Sequence, residues 1–246
     1  NMIRLIQDET ELRPWAGDPI GARACAAAAA YGIGGRAAQF WRQNGDTLLC
    51  RVDDAMLLCA GSDPDWNELE SFFPMAGGRV LLCRAGDASH LHKPESVTGQ
   101  VMLRHGTTPE QDAEAEENPS PRELHALLVR CETETFHAPE FEPFYLDLSH
   151  RTRHGTALSV AFRRDGKLTA AAFCTARTDR LAILSGVAVL PEYRGQGLGR
   201  RVVHALLAKL SQPAQCVYRA QGEHKQFYEH LGFLDAFAFA ELALEP

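Results

Sequence analysis

Residues 181–210 read LAILSGVAVLPEYRGQGLGRRVVHALLAKL, and this run restricts the fold more than any other part of the chain. Its first third is a continuous β-prone stretch, the pattern of a strand covered on both faces. Its last third, LGRRVVHALLAKL, places apolar residues at helical spacing. Between them stand Pro191 and three glycines at alternate positions, Gly195, Gly197 and Gly199. Glycine lets a backbone turn tightly and come close to a ligand. A buried strand feeding an amphipathic helix through such a loop predicts a mixed α+β domain. At a helix N-terminus the peptide N–H groups point one way and favour anions. With Arg194 and Arg200 nearby, the loop is suited to a pyrophosphate.

The elements around the run agree with that class. SPRELHALLVRCET opens with Ser120 as N-cap and Pro121 at the first helical position, and PEFEPFYLDLSHRTRH predicts a second helix. TALSVAFRRDGKLTAAAFCTAR predicts two strands about an Asp165-Gly166 turn. QCVYRA predicts a strand, EHKQFYEHLG a helix closed by Gly232, and FLDAFAFAEL a last strand. The N-terminal region repeats part of this order. IRLIQ predicts a strand, DPIGARACAAAAAYG a helix and GRAAQFWRQNG a second helix. Two strands about Asp53-Asp54 follow, then a helix at DWNELESFF and a strand at GRVLLC. An aromatic pair late in the second helix, Phe40-Trp41 or Phe144-Tyr145, marks both halves. Nothing in the first half corresponds to the glycine loop. An acidic stretch, TTPEQDAEAEENPSPRE, has the composition of an exposed linker. The expected organisation is an N-terminal α+β domain at 1–106, a linker at 107–119 and a second domain at 120–246.

Composition narrows the function classes. The 246 residues are 45% hydrophobic and 23% charged, as in an ordinary globular protein. No apolar run approaches the roughly 20 residues of a membrane span, and the alanine-rich stretch lacks a signal peptide's basic start. Asn1 ahead of Met2 reads as an added residue, with Met2 the natural start. Seven cysteines occur without close pairing, which fits a reducing compartment and predicts a cytoplasmic protein. A net charge of −7 argues against nucleic acid and suits a cationic substrate such as an amine. His150 and His154 lack the glutamate of a zinc-protease helix, and His90 and His92 have no ligating neighbour, so no metal is expected. A dinucleotide fingerprint fails at Arg200, where a glycine is required. The match from Gly32 to Ala37 follows a helical stretch rather than a strand. A P-loop would need Gly-Lys-Ser/Thr after the glycines, and that is absent.

Taken whole, VAVLPEYRGQGLGRRVV resembles the acyl-coenzyme A motif of the GNAT superfamily, the GCN5-related N-acetyltransferases: V-x-V-x-P, then R-x-x-G-x-G. QGEHKQFYEHLGF is similar to the family's later motif, with Phe227-Tyr228 and Gly232-Phe233 matching and Gln221 where many members have asparagine. The resemblance is specific over about 184–233 and looser over 120–246. It implies a mixed, mostly antiparallel GNAT sheet flanked by helices, preceded here by a smaller, degenerate unit of the same kind. It also implies a strand 182–189 that splays from its neighbour, with Val187, Ala188 and Val189 facing the pantetheine of acetyl-CoA. A peptide N–H near Val187 would hold the oxyanion. The amides of Arg194, Gly195, Gln196, Gly197, Leu198 and Gly199, with Arg200, would hold the pyrophosphate. Gln221 and Tyr228 would also contact the cofactor, and Tyr228 would be the general acid. The strand carries no glutamate, Ser185 being its only polar side chain, so no base is assigned. The implied activity is acetyl transfer to a primary amine of a small molecule or protein. The alternative is a non-catalytic acyl-CoA binding module. The N-terminal region would either build the acceptor site or bind a partner protein, and the oligomeric state is unreadable.

Overall fold

All strands described in the computed structural model, which covers residues 2–134 and 136–244, lie in one twelve-stranded sheet. Asn1, read above as an added residue, lies outside the described residues. The N-terminal half supplies β1 (Arg4–Leu5), β2 (Ala38–Gln43), β3 (Thr47–Val52), β4 (Ala55–Cys59), β5 (Val80–Arg84) and β6 (Glu95–Arg104). The C-terminal half supplies β7 (Glu116–Glu117), β8 (Leu158–Arg164), β9 (Lys167–Arg177), β10 (Leu181–Val189), β11 (Ala214–Ala220) and β12 (Leu234–Ala243). Across the sheet they run β1-β2-β3-β4-β5-β12-β6-β11-β10-β9-β8-β7.

That order contains an exchange. The last strand of each half lies beside the other half's penultimate strand: β6 pairs with β11, and β12 pairs with β5. The two exchanged strands then pair antiparallel with each other at the centre. Parallel pairing occurs at β4–β5 and at β10–β11, at matching places in the two halves. The mixed, mostly antiparallel sheet expected from the resemblance is present. Gly99 explains how the strands fit at the exchange, since a Cβ there would overlap the carbonyl oxygen of Arg219 and approach Phe239 to 2.5 Å.

Helices cover both faces. On one face lie α1 (Pro19–Tyr31), α4 (Pro121–Arg130) and α5 (Phe141–Arg153); on the other lie α2 (Trp66–Ala76) and α6 (Leu198–Lys209). Two short helices, α3 (Ala85–Ala88) and α7 (Lys225–Glu229), follow β5 and β11. The alanine run of α1 packs in one apolar cluster with Phe40 and Leu57 from its own half and with Ile183 and Cys216 from the other. Small side chains let a helix approach a sheet closely, so this element spans both halves. Val202, Val203, Leu206 and Leu207 of α6 are buried against β8–β11, each contributing about 1.5–3 kcal/mol by leaving water.

One expected element is different. GRAAQFWRQNG, predicted as a helix, contains β2, so Phe40 and Trp41 are strand residues with Phe40 buried and Trp41 half-buried. The reason is the turn that follows: Asn44 (φ 53°) and Gly45 (φ 90°) join β2 to β3 with the two left-handed residues of a tight hairpin. The first half is therefore not helix–helix–hairpin, and its second helical turn, a 3-10 stretch at Glu9–Trp15, precedes α1. The acidic segment 107–119 adds β7 to the sheet edge and is tied down by ion pairs. Asp112 and Glu114 hold Arg201 at 2.7 and 2.5 Å, and Glu116 holds Arg163 at 3.0 Å.

Candidate active site

The site begins where two parallel strands part. β10 and β11 are paired from Leu181↔Ala214 to Leu184↔Val217 and no further. Beyond that point β10 continues to Val189 against β9 alone, and β11 continues to Ala220 against β6. A bulge starts the separation, because Thr175 and Ser185 drop out of the β9–β10 register on either side of Leu184. Ser185 is consequently exposed, and the edge of β10 from Ser185 to Val189 faces open space. An unpaired strand edge presents N–H and C=O groups to any extended ligand.

The glycine loop closes one end of the opening. Pro191–Tyr193 form a 3-10 turn, and the Arg194 Nε donates to the Val189 carbonyl at 3.0 Å, folding the loop back on the strand. Gly195 (φ 74°) and Gly197 (φ 77°) are left-handed. A Cβ at either would meet nothing within 4 Å, so backbone conformation, rather than crowding by the protein, selects glycine there. Gly197 is the N-cap of α6 and gives it no side-chain cap. The first-turn N–H groups, at Leu198, Gly199 and Arg200, thus lack intrahelical partners and carry the positive end of the helix dipole. Gly199 is the close-packed member, its hypothetical Cβ 3.5 Å from Val189 and 3.7 Å from Phe227.

Together these elements enclose a cleft of about 800 Å³. Val187, Ala188, Val189, Arg194, Gly199 and Tyr228 line it, as does Phe227. Gly195, Gln196, Gly197 and Leu198 lie in the loop between Arg194 and Gly199. Arg200 is exposed, and Gln221 stands apart from the lining with its N–H on the Thr98 carbonyl at 3.2 Å. Tyr228 comes from α7 and packs edge-on to Phe227 and Phe233 at 5.1 and 5.8 Å. Burial raises its pKa above the ordinary tyrosine value, which keeps the phenol protonated. Tyr218, Glu223 and His224, which the sequence reading did not single out, also line the cleft. Tyr218 lies in β11 and the other two just beyond its end, and the legible signal was that Glu223 and His224 fall inside the segment QGEHKQFYEHLGF with Tyr218 shortly before it. Cys131 borders the cleft too, but burial raises its pKa, and burial does the same to every other cysteine. Thiols so disfavoured as thiolates are poor nucleophiles. Among the described residues no cluster of side chains fits a metal ion, and no helix is long and apolar enough to cross a membrane.

A sheet split between parallel strands, with an uncapped helix at the mouth, is the arrangement that the resemblance to the GNAT superfamily implies. The comparisons agree. The sequence profile of the Acetyltransferase (GNAT) family matches residues 122–233. The match thus spans the segment that holds the glycine loop and Tyr228. No curated protein sequence matches the chain. Among solved structures it is similar to a tandem GNAT protein from the clavulanic acid biosynthesis pathway, at 14% identity and a TM-score of 0.60, covering 100% of this chain and 99% of that one. It is also similar to a GCN5-related N-acetyltransferase from Sphaerobacter thermophilus, at 12% identity and a TM-score of 0.58 over 100% and 96% of the two chains. A third, from Kribbella flavida, is 18% identical with a TM-score of 0.56 over 80% and 86%. At these identities the likeness is one of fold, and the whole chain has the tandem GNAT fold.

Proposed function

We propose that the protein transfers an acetyl group from acetyl-CoA to a primary amine by direct attack within this cleft. The observation that carries the reading is the coincidence of three features at one place: the open edge of β10, the uncapped N-terminus of α6 and the protonated Tyr228. The edge at Val187–Val189 pairs with the pantetheine arm, and the loop amides with Arg194 and Arg200 take the pyrophosphate. The N–H near Val187 polarises the thioester carbonyl and holds the tetrahedral oxyanion.

In the reaction the amine lone pair forms the N–C bond, and the C–S bond breaks with its electrons on sulfur. Tyr228 donates a proton to the departing thiolate, and the attacking nitrogen releases one to Glu223 or His224 at the cleft wall. No cysteine takes the acetyl group, since burial holds the thiols protonated. The family match at residues 122–233 and the open glycine loop support assigning this chemistry to the C-terminal half. The acceptor is a primary amine of a small molecule or of a protein, and the protein works in the cytoplasm.

The test is calorimetric titration with acetyl-CoA followed by thiol release in the presence of amines. One binding event per chain with turnover supports the reading. Binding without turnover leaves an acyl-CoA binding module, and no binding by folded protein removes the reading altogether. Tyr228→Phe is expected to lower kcat about a hundredfold or more with acetyl-CoA affinity unchanged. Because the pKa of Tyr228 is raised, the parent enzyme should lose activity only on the alkaline side of the ordinary tyrosine value. That limb should be missing from the pH profile of the variant.

A further inference from the structure

Two tyrosines stand at the split, on opposite faces of the sheet. Tyr228 packs with Phe227, Phe233 and α6 on one face. Tyr218 of β11 belongs to the cluster on the other face, with Phe237, Phe239 and α1. The last paired step of the parallel strands is Leu184↔Val217, so Tyr218 and Ser185 are the first residues to face each other across the opening. Both line the cleft.

Tyr218 is unusual in two ways. Its ring is fixed, edge-on to Phe239 at 5.2 Å, yet its hydroxyl is buried without a hydrogen-bond partner. A buried hydroxyl left unpaired is unfavourable, a loss a ligand group would remove. Above the ring lies Arg23 of α1, its guanidinium carbon 5.3 Å from the ring centroid. Arg23 is exposed and, among the described residues, makes no ion pair or hydrogen bond. The two arginines that line the cleft are engaged, Arg194 with the Val189 carbonyl and Arg219 with Asp235 at 3.1 Å, whereas Arg23 adjoins the cleft through the Tyr218 ring. The N-terminal half thus places one uncommitted cation beside one uncommitted hydroxyl, on the face opposite Tyr228.

Resting on the acetyltransferase reading, we propose that the acceptor is a primary amine bearing a carboxylate, an amino-acid-type substrate, whose acid group is held by Arg23 and the Tyr218 hydroxyl. Arg23 supplies the charge and Tyr218 a neutral O–H donor, a combination that binds a carboxylate more strongly than a neutral amide. The N-terminal half is then part of the acceptor site.

The experiment measures kcat/KM by thiol release with full-length protein. The acceptors are the standard amino acids, β-alanine and γ-aminobutyrate, each beside its carboxamide. The carboxamide of an α-amino acid has the less basic amine and so a larger unprotonated fraction, which biases the comparison against the proposal. At least one free acid should exceed its carboxamide by about tenfold. Arg23→Gln should erase that preference through a raised acceptor KM, and Arg23→Lys should keep part of it. Tyr218→Phe should raise the same KM. Calorimetric affinity for acetyl-CoA should be unchanged in all three variants, which also shows that they are folded. If acetyl-CoA binds but carboxamides are used as well as acids, if no acid is used, or if Arg23→Gln keeps the preference, the proposal is wrong while the acetyltransferase reading stands. If the parent protein does not bind acetyl-CoA, both fall.

Discussion

The two halves build the same strand–loop–helix corner and finish it in opposite ways. In the C-terminal half, β10 runs into Gly195 and Gly197, around which there is open space, and α6 starts without a side-chain cap. In the N-terminal half, β4 runs into Gly61-Ser62-Asp63-Pro64-Asp65, and α2 starts under Asp65, whose carboxylate accepts from the Glu68 N–H at 3.0 Å. The Asp46 carboxylate takes the Ser62 N–H at 2.8 Å and fills the space beside Gly61, where a Cβ would overlap it. Buried Gln43 pins the segment further, donating to the Asp65 carbonyl and to Glu68 and accepting from the Asp65 N–H. An anion is therefore already present at the N-terminal corner, as protein. A phosphate brought there would meet carboxylates instead of free amides. One fold thus yields an open, uncapped loop or a closed structural cap according to whether glycine or aspartate occupies the N-cap.

The exchange of β6 and β12 joins these unlike halves, and separating them is the most severe way to break the comparison. Residues 120–246 alone would lack both neighbours of β12 and the β6 edge of β11. We expect that fragment to be unfolded or aggregated by circular dichroism and sedimentation, and rescued by co-expression with residues 1–106. A soluble, folded monomer would mean that the halves are independent. Next in size is Gly197→Val, which forces a β-branched residue into a left-handed N-cap. Acetyl-CoA affinity should fall by about two orders of magnitude as the loop amides lose alignment, with the far-ultraviolet spectrum kept. The matching change in the other half, Asp65→Ala, should cost about 1 kcal/mol of stability, read as a midpoint shift of about 2–4 °C. Calorimetry should still find one acetyl-CoA per chain, and a second site would show that the cap alone had suppressed it.

The smallest effect concerns the acidic segment. Hydrogen bonding from Arg201 lowers the pKa of Asp112 below its ordinary 3.8. A depressed carboxylate contributes stability above its unfolded pKa and loses it as the pH falls through the folded value. Asp112→Asn should therefore lower the denaturation midpoint slightly at neutral pH, and the difference should vanish in acid below 3.8. An equal effect at all pH values would show that the loss is one of packing rather than charge.

Local signals account for what was legible in the chain. The β-prone run, the alternate glycines and the helical spacing of α6 each act over a few residues, so the strand–loop–helix corner could be read directly. So could the Asp165-Gly166 hairpin. The same kind of signal was present at Asn44-Gly45, but the alanine-rich context hid it, and β2 was taken for a helix. Three things were settled only by tertiary structure. The first is the exchange of β6 and β12, because pairing between strands more than a hundred residues apart leaves no mark on either one. The second is the cap at Asp65, whose role depends on Gln43 and Glu68. The third is the conjunction of Arg23 with Tyr218, which exists because an alanine helix of one half lies flat on the sheet of the other. The sequence by itself determined where the open glycine loop and its helix would lie, since a backbone loop is local chemistry. Tertiary structure decided what faces that loop across the cleft, since a wall built from two halves is defined only when they are packed.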